Sequence, residues 1–222
     1  MSAITFLYKI IKYFFCESAS VDIRSTNKQH LHCIYLFFFV FINFPIWVLL
    51  EIIAGSFDLK LHLPLHLCRF ANLALPFAVS NKNGVLFQVL FYWGVSAMFQ
   101  AIFTPDITHD FPHFHYFRFI AAHHLLVITI IYYVVVFDFK PTIHGLKSAF
   151  FALNAFLIIA LIFNMIFESN YFWLMDKPPA GSLLDLMGPW PWYIFVGEFV
   201  ALIHFYIAYF LYYTLNKRFK AI

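Results

Sequence analysis

Charged residues are scarce in this sequence. Asp, Glu, Lys and Arg make up only 11% of its 222 residues, whereas soluble domains carry about a quarter. Hydrophobic residues account for 63%, and the mean hydropathy is +0.80. A soluble core of this size cannot enclose so much apolar surface, but lipid accepts it. The shortage of charge therefore excludes a soluble globular domain and predicts an integral membrane protein.

Cysteine is rare as well. The three cysteines, Cys16, Cys33 and Cys68, form no CxxC pair, which argues against a disulfide framework and against a Cys-based zinc site. The N-terminus has no small-residue cleavage site behind an apolar stretch, so no removed signal peptide is expected. No internal repeat or linker divides the chain. Residues 1–222 are therefore expected to form a single membrane domain.

Long apolar runs predict the fold, because a helix needs about 20 mostly apolar residues to cross a bilayer. Six segments qualify and predict an all-α fold, a polytopic transmembrane helix bundle within residues 31–215. Residues 1–30 are expected to be interfacial, since residues 3–16 are too short to span and carry Lys9 and Lys12. They fit an amphipathic surface helix or the remnant of a lost span. The predicted spans are 31–53, 62–79, 85–103, 116–137, 148–167 and 191–215.

Basic residues set the orientation of these spans. With six spans, ten of the fourteen Lys and Arg residues fall on the side that holds both termini, whereas Lys60 and Lys177 fall in the opposite loops. We therefore expect a multi-pass protein of the cell membrane with both termini in the cytoplasm. Three segments rich in His, Asp and Pro then share the opposite face as one functional mouth, and residues 168–190 are expected to cover it as a re-entrant or lid loop. The three segments are 63–68, 104–116 and 170–193.

Cys68 is the candidate nucleophile of this mouth. A thiol attacks well only as a thiolate, which needs a nearby base or cation. The competing interpretation is a buried Cys that packs as a small hydrophobe. His123 lies deep in the fourth predicted span, as a proton carrier or a packing residue, and Glu198 in the last span could orient its imidazole. These three residues form the predicted catalytic set.

The mouth also holds candidate substrate-binding residues. His109 and His113, with neighbouring His and Asp residues, resemble a metal site. However, Pro105 and Pro112 bracket this loop and argue against a continuous helix that would align the ligands. Contact with a headgroup or substrate is the interpretation we favour, and neither a metal nor a cofactor is predicted. The predicted substrate-binding residues are His66, Arg69, Gln100, Asp106, His113, Arg118, Asn170, Lys177 and Asp185.

Six motifs together carry a family resemblance. They are LPLHLC (63–68), FQAIFTPD (99–106), FPHFHYF (111–117), the Ala122–His123 step, NYFWLMDKPP (170–179) and SLLDLMGPWPWY (182–193). In these motifs the sequence resembles the YwaF-type bacterial membrane proteins, which are similar to the animal transmembrane protein 164 family, from about residue 43 to 213. The resemblance implies a seven-span bundle and a Cys/His-dependent acyl transfer between phospholipids, with Cys68 as nucleophile and His123 as its partner. The chain departs from that pattern in its first span, which is reduced to residues 3–16.

Two other functions stay open on the sequence. Deep His and Glu residues also form proton relays, so a proton-coupled small-molecule transporter is one alternative, although the internal repeat of many transporters is not visible. A non-catalytic membrane scaffold is the other. Membrane lipids are the predicted partners, no nucleic-acid partner is expected, and the oligomeric state is left open.

Overall fold

The regular elements of the described chain are all helices, which confirms the predicted all-α bundle. The computed structural model describes residues 23–80, 83–107, 110–179 and 181–220. Its α-helices are α1 (Ile23–Ile53), α2 (Leu67–Ser80), α3 (Gly84–Trp93), α4 (Phe99–Phe103), α5 (Phe114–Val136), α6 (Ile143–Phe167) and α7 (Trp192–Lys220). A π-helical stretch, Gly94–Met98, joins α3 to α4, and two 3-10 turns, Tyr171–Trp173 and Leu183–Met187, lie between α6 and α7.

Within the described residues, five helical segments are long and apolar enough to cross a membrane, and they coincide with five of the six predicted spans. They are Tyr35–Ile53, Gly84–Phe103, Phe114–Val136, Ile143–Phe167 and Trp192–Asn216. The fifth predicted span, 148–167, starts five residues after the beginning of the corresponding helix. The helix starts at Ile143 because the Thr142 side chain caps it, accepting a hydrogen bond from the Gly145 N–H at 2.9 Å. The predicted interfacial segment, residues 3–16, lies outside the described residues.

The second predicted span, 62–79, is a shorter helix, α2, with a non-helical segment before it. Residues 54–66 continue neither α1 nor α2. Gly55, just after α1, has a φ of +72°, and Pro64, just before α2, disfavours a helical conformation for the residue that precedes it. At 1.5 Å per residue α2 is roughly 21 Å long, less than the ~30 Å hydrocarbon core of a bilayer. Its N-terminal end is buried in the bundle, since its first residue, Leu67, is only 5% exposed, and Cys68 is its second residue.

The core of the bundle forms where α3 packs against α6 and where α1 packs against α2 and α5. Leu75, Leu90 and Ile130 are completely buried there. Gly94 lets the π-helical stretch approach α5 closely, because a Cβ at this position would clash with Cδ1 of Ile130. The helix ends alternate along the chain. Three connections therefore lie at one end of the bundle, and their described residues are 54–66, 104–107 with 110–113, and 168–179 with 181–191.

The connection between α6 and α7 folds back onto this end of the bundle. Tyr171 is completely buried, and its hydroxyl donates to Leu59 O at 2.6 Å and accepts from the Leu63 N–H at 2.8 Å. The Asn164 side chain of α6 pairs with both the N–H and the carbonyl of Tyr171, at 2.7 and 2.8 Å. Tyr171 thus joins the predicted lid loop to the segment that precedes Cys68.

Candidate functional site

The three chemistry-bearing segments meet at one cavity of about 840 Å³. His66 comes from the first segment, Asp106 from the second and Trp173 from the third. The cavity continues downward between α2, α5 and α7, where Cys68 and His123 line it. Chain segments far apart in sequence therefore place their polar side chains around a single space.

Cys68 and His123 face each other in this cavity and are hydrogen-bond partners. His123 is only 5% exposed, and as the tenth residue of α5 it lies roughly 14 Å below the start of that helix. This depth matches that of Cys68, because α2 begins inside the bundle. The short second helix is thus what brings the thiol down to the imidazole.

The tautomer of His123 follows from its second contact. Its Nδ1 lies 2.8 Å from Phe119 O, and a carbonyl oxygen can only accept, so Nδ1 carries the proton. In a neutral imidazole Nε2 then has the free lone pair and can take the thiol proton. The Phe119 ring also packs against the imidazole, with a centroid separation of 4.0 Å. Phe119 therefore holds His123 in the orientation that a base for Cys68 needs.

Glu198 has a hydrogen-bond partner other than the expected His123. Its Oε2 accepts a hydrogen bond from Asn154 Nδ2 at 2.8 Å, and it is not among the residues that line the cavity. The reason is helical periodicity, since consecutive side chains point about 100° apart and the neighbouring Gly197 faces the cavity. The orienting contact expected from Glu198 is made by the backbone carbonyl of Phe119.

Two arginines stack on one tryptophan above the thiol. The Cζ atoms of Arg69 and Arg118 lie 4.6 and 4.0 Å from the centre of the Trp47 ring. Arg69 Nη1 also donates to the carbonyls of Leu61 and Leu63. No carboxylate oxygen of the described residues lies within ion-pair distance of either guanidinium, and Arg118 Nε is buried without a hydrogen-bond partner among them. This pair of cations can receive an anion.

Glu51, near the end of α1, is a site residue that the sequence-based set missed. Its carboxylate accepts hydrogen bonds from Trp47 Nε1 at 2.8 Å and from Ser56 Oγ at 2.5 Å. Nε2 of His115 lies 3.5 Å away and Nε2 of His62 lies 3.8 Å away. The signal was present in the sequence, because Trp47 and Glu51 are four residues apart and so share a helix face. Glu51 positions the tryptophan on which both arginines stack.

Four further predicted binding residues line the cavity: His66, Gln100, Asp106 and Asn170. Burial, with a smaller contribution from the charge of Arg69, lowers the pKa of His66 to about 3. Burial raises the pKa of Asp106 above its usual range. Gln100 donates to the Thr104 hydroxyl at 3.2 Å. Asn170 also shapes the loop, since its Oδ1 accepts from two successive backbone N–H groups, at 3.0 and 3.1 Å.

Three predicted binding residues lie outside the cavity lining. His113 is the exposed N-cap of α5 and accepts from the His115 N–H at 3.2 Å. Lys177 and Asp185 face each other, with Nζ and Oδ1 3.9 Å apart, and Asp185 Oδ2 accepts from the Ser182 N–H at 2.7 Å. All three have local structural contacts that hold the mouth loops.

The described part of the chain contains no cluster of side chains that would form a metal site. Among those residues, no group of three or more His, Cys, Asp and Glu side chains could hold a metal ion. His109 belongs to the residues that are not described.

The lining of the cavity is mixed. Charged and polar side chains such as Glu51, Arg69 and Asp106 line it together with apolar ones such as Trp93 and Ala201. Fold and cavity together define a multi-pass helical membrane protein with an amphipathic internal site. A family model matches residues 1–209, and the chain belongs to the TMEM164 family. Neither a curated protein nor a solved structure matches it.

Proposed function

We propose that this protein transfers acyl chains between phospholipids through a thioester on Cys68. The observation that carries the proposal is the hydrogen-bonded pair of Cys68 and His123 inside an amphipathic cavity. A thiol beside a base is the arrangement of a cysteine nucleophile, and a cavity lined by both charged and apolar side chains suits a lipid.

The first half of the reaction forms the thioester. His123 Nε2 takes the Cys68 proton, and the thiolate attacks the carbonyl carbon of an acyl ester in the donor phospholipid. The tetrahedral intermediate collapses with cleavage of the bond between this carbon and the glycerol oxygen. The leaving oxygen takes the proton from the His123 imidazolium, and a lysophospholipid departs. The acyl chain stays on Cys68.

The second half reverses these steps with a different alcohol. The hydroxyl of a lysophospholipid acceptor gives its proton to His123, and its oxygen attacks the thioester carbonyl. The C–S bond breaks, and Cys68 recovers its proton from the imidazolium. Dividing the transfer into two steps replaces one difficult reaction by two easier ones. Neither half needs an oxidant, a metal or a nucleotide.

The surroundings of the pair favour the charges that develop. Cys68 is the second residue of α2, and the first N–H groups of a helix have no intrahelical partner. They can stabilise a thiolate and the oxyanion of the intermediate. In the proposed reaction Arg69 and Arg118 bind the phosphate of the lipid, since guanidinium pairs with phosphate through two parallel hydrogen bonds.

We further propose that the cavity opens to the outer face of the cell membrane and that both termini are cytoplasmic. The support is the excess of Lys and Arg on the side of the termini, which in membrane proteins faces the cytoplasm. Reporter fusions at both ends, with accessibility labelling of single cysteines in residues 54–66, test this orientation. Labelling from the cytoplasmic side would refute it.

The test of the function is acyl transfer by purified protein in vesicles that contain a phospholipid donor and an isotope-labelled lysophospholipid. Cys68→Ser should lower the rate by roughly a hundredfold or more, and His123→Ala by roughly 10²–10⁴, with folding intact. Cys33→Ser is the matched control, because Cys33 lies about 27 Å along α1 from Glu51. Full transfer by Cys68→Ser, or no transfer by the wild type, would contradict the proposal and favour a transporter or a scaffold.

A further inference from the structure

The charged side chains that line the cavity differ in whether they have ionic partners. Five of them line it: Glu51, Lys60, Arg69, Asp106 and Arg118. Glu51 accepts hydrogen bonds from Trp47 and Ser56, and Lys60 Nζ lies 3.7 Å from Oε2 of Glu168. The other three have no ion-pair partner within residues 23–80, 83–107, 110–179 and 181–220. Two cations and one anion of the cavity are therefore unpaired.

Asp106 is the anion of this unpaired set. It lies three residues after the end of α4, and its side chain is partly buried. Its carboxylate makes neither a hydrogen bond nor an ion pair with another described residue, and burial raises its pKa. A carboxylate withdrawn from water without a cation beside it is costly. A ligand that brings a cation to Asp106 removes that cost.

The two cations, Arg69 and Arg118, are held close together by one tryptophan. Their Cζ atoms lie 4.6 and 4.0 Å from the centre of the Trp47 ring, so two like charges are neighbours and repel each other. Arg118 Nε is also buried without a hydrogen-bond partner in the part of the chain that the structure describes. An anionic ligand group relieves the repulsion and supplies the missing acceptor, and phosphate suits guanidinium best.

The three unpaired side chains belong to the same end of the bundle. Arg69 is the third residue of α2 and Arg118 the fifth of α5, so both lie within roughly 6 Å of the start of their helix. Asp106 lies in the connection between α4 and α5 at this end. A headgroup that carries an anion and a cation satisfies all three charges. A headgroup with only a negative charge leaves Asp106 unpaired.

We infer that the cavity selects zwitterionic phospholipids, with the phosphate bound by Arg69 and Arg118 and the ammonium group bound by Asp106. The inference rests on the proposed function and adds the headgroup class and the residue that determines it. A hydrogen bond to a charged group changes affinity roughly 10- to 150-fold. Because Asp106 is only partly buried, the lower end of this range applies, and we expect about a tenfold preference.

The experiment compares the wild type with Asp106→Asn, which keeps the shape of the side chain and removes its charge. Asp110→Asn is the matched control, because Asp110 lies in the same connection, is exposed and does not line the cavity. Each protein is equilibrated in detergent with equal amounts of phosphatidylethanolamine and phosphatidylglycerol that have the same acyl chains. Bound lipids are then quantified by mass spectrometry. The wild type and Asp110→Asn should bind about tenfold more phosphatidylethanolamine, and Asp106→Asn should bind both lipids about equally.

A variant with the opposite charge tests the sign of the effect. Asp106→Lys repels an ammonium group, so its bound lipid should be mainly phosphatidylglycerol. Acyl transfer with the same two lipids as donors gives a second measurement. In Asp106→Asn, KM for phosphatidylethanolamine should rise about tenfold with little change in kcat, because the carboxylate binds the headgroup and not the reacting ester.

The outcomes separate this inference from the proposed function. Equal binding of the two lipids by the wild type, or a preference that Asp106→Asn retains, overturns the headgroup selection alone. The same loss of preference in Asp110→Asn also overturns it. A wild type that shows the preference, loses it in Asp106→Asn and transfers no acyl chain supports the headgroup selection and contradicts the transfer reaction. If Asp106→Asn does not fold, Asp106→Ser takes its place with the same expected loss.

Discussion

Tyr171 is the residue whose removal tests how the lid loop holds the nucleophile segment. Tyr171→Phe deletes one hydroxyl that serves two backbone groups, the Leu59 carbonyl and the Leu63 N–H, at 2.6 and 2.8 Å. The ring itself is completely buried and keeps its packing. The variant therefore isolates the two hydrogen bonds from the hydrophobic contribution of the side chain.

The magnitude follows from the groups left without partners. An unsatisfied buried donor or acceptor costs about 1–3 kcal/mol. Both backbone groups are only part-buried, so water reaches them to some extent and the lower half of that range applies to each. We expect a loss of about 2–4 kcal/mol from the two groups together, which for a chain of this length corresponds to a fall in Tm of roughly 4–16 °C.

The assay is thermal unfolding of the purified protein in detergent, together with the acyl-transfer rate. Tyr213→Phe is the matched control, because Tyr213 is 56% exposed on α7 and should leave Tm unchanged. Since Leu63 lies five residues before Cys68, the transfer rate should fall along with the stability. An unchanged Tm in Tyr171→Phe would refute the idea that this hydroxyl fastens the two segments.

Three further variants test separate parts of the site. The folded His66 has a pKa of about 3 against about 6.5 in an unfolded chain, so protonation of the unfolded state costs stability as the pH falls below about 6.5. His66→Gln should therefore reduce the fall in Tm that the wild type shows as the pH is lowered below about 6.5. An equally large fall in Tm in the variant would contradict this. Glu198→Gln should keep the Asn154 contact and change transfer less than twofold, whereas a tenfold loss would restore Glu198 as a catalytic residue. Arg118→Gln should raise KM for phospholipid roughly 10–100-fold with a smaller change in kcat, and a pure kcat effect would exclude phosphate binding.

The fold brings some of the predicted site residues together in one cavity and leaves others outside it. Cys68, His123, Arg69 and Arg118 line one cavity, although they come from two helices that are about fifty residues apart in the chain. Their selection from the sequence was feasible because each is a costly polar group inside or beside an apolar span. The direction of each side chain was not predictable, because it depends on where each helix begins and how it is rotated.

Glu198 and Glu51 illustrate this limit. Both are acidic residues in apolar helices, and composition alone does not distinguish them. Rotation of α7 turns Glu198 toward Asn154, whereas α1 places Glu51 among Trp47, His62 and His115. Which carboxylate serves the site is a matter of packing between helices.

The sequence by itself determined the membrane class, the all-helical fold and most of the span positions, because length and hydropathy alone decide what can cross a bilayer. Only the tertiary structure decided the depth of the thiol. A second helix that starts inside the bundle carries Cys68 down to the level of His123, where the Phe119 carbonyl, and not a carboxylate, holds the imidazole. That result depends on contacts between distant segments, which no local pattern of residues encodes.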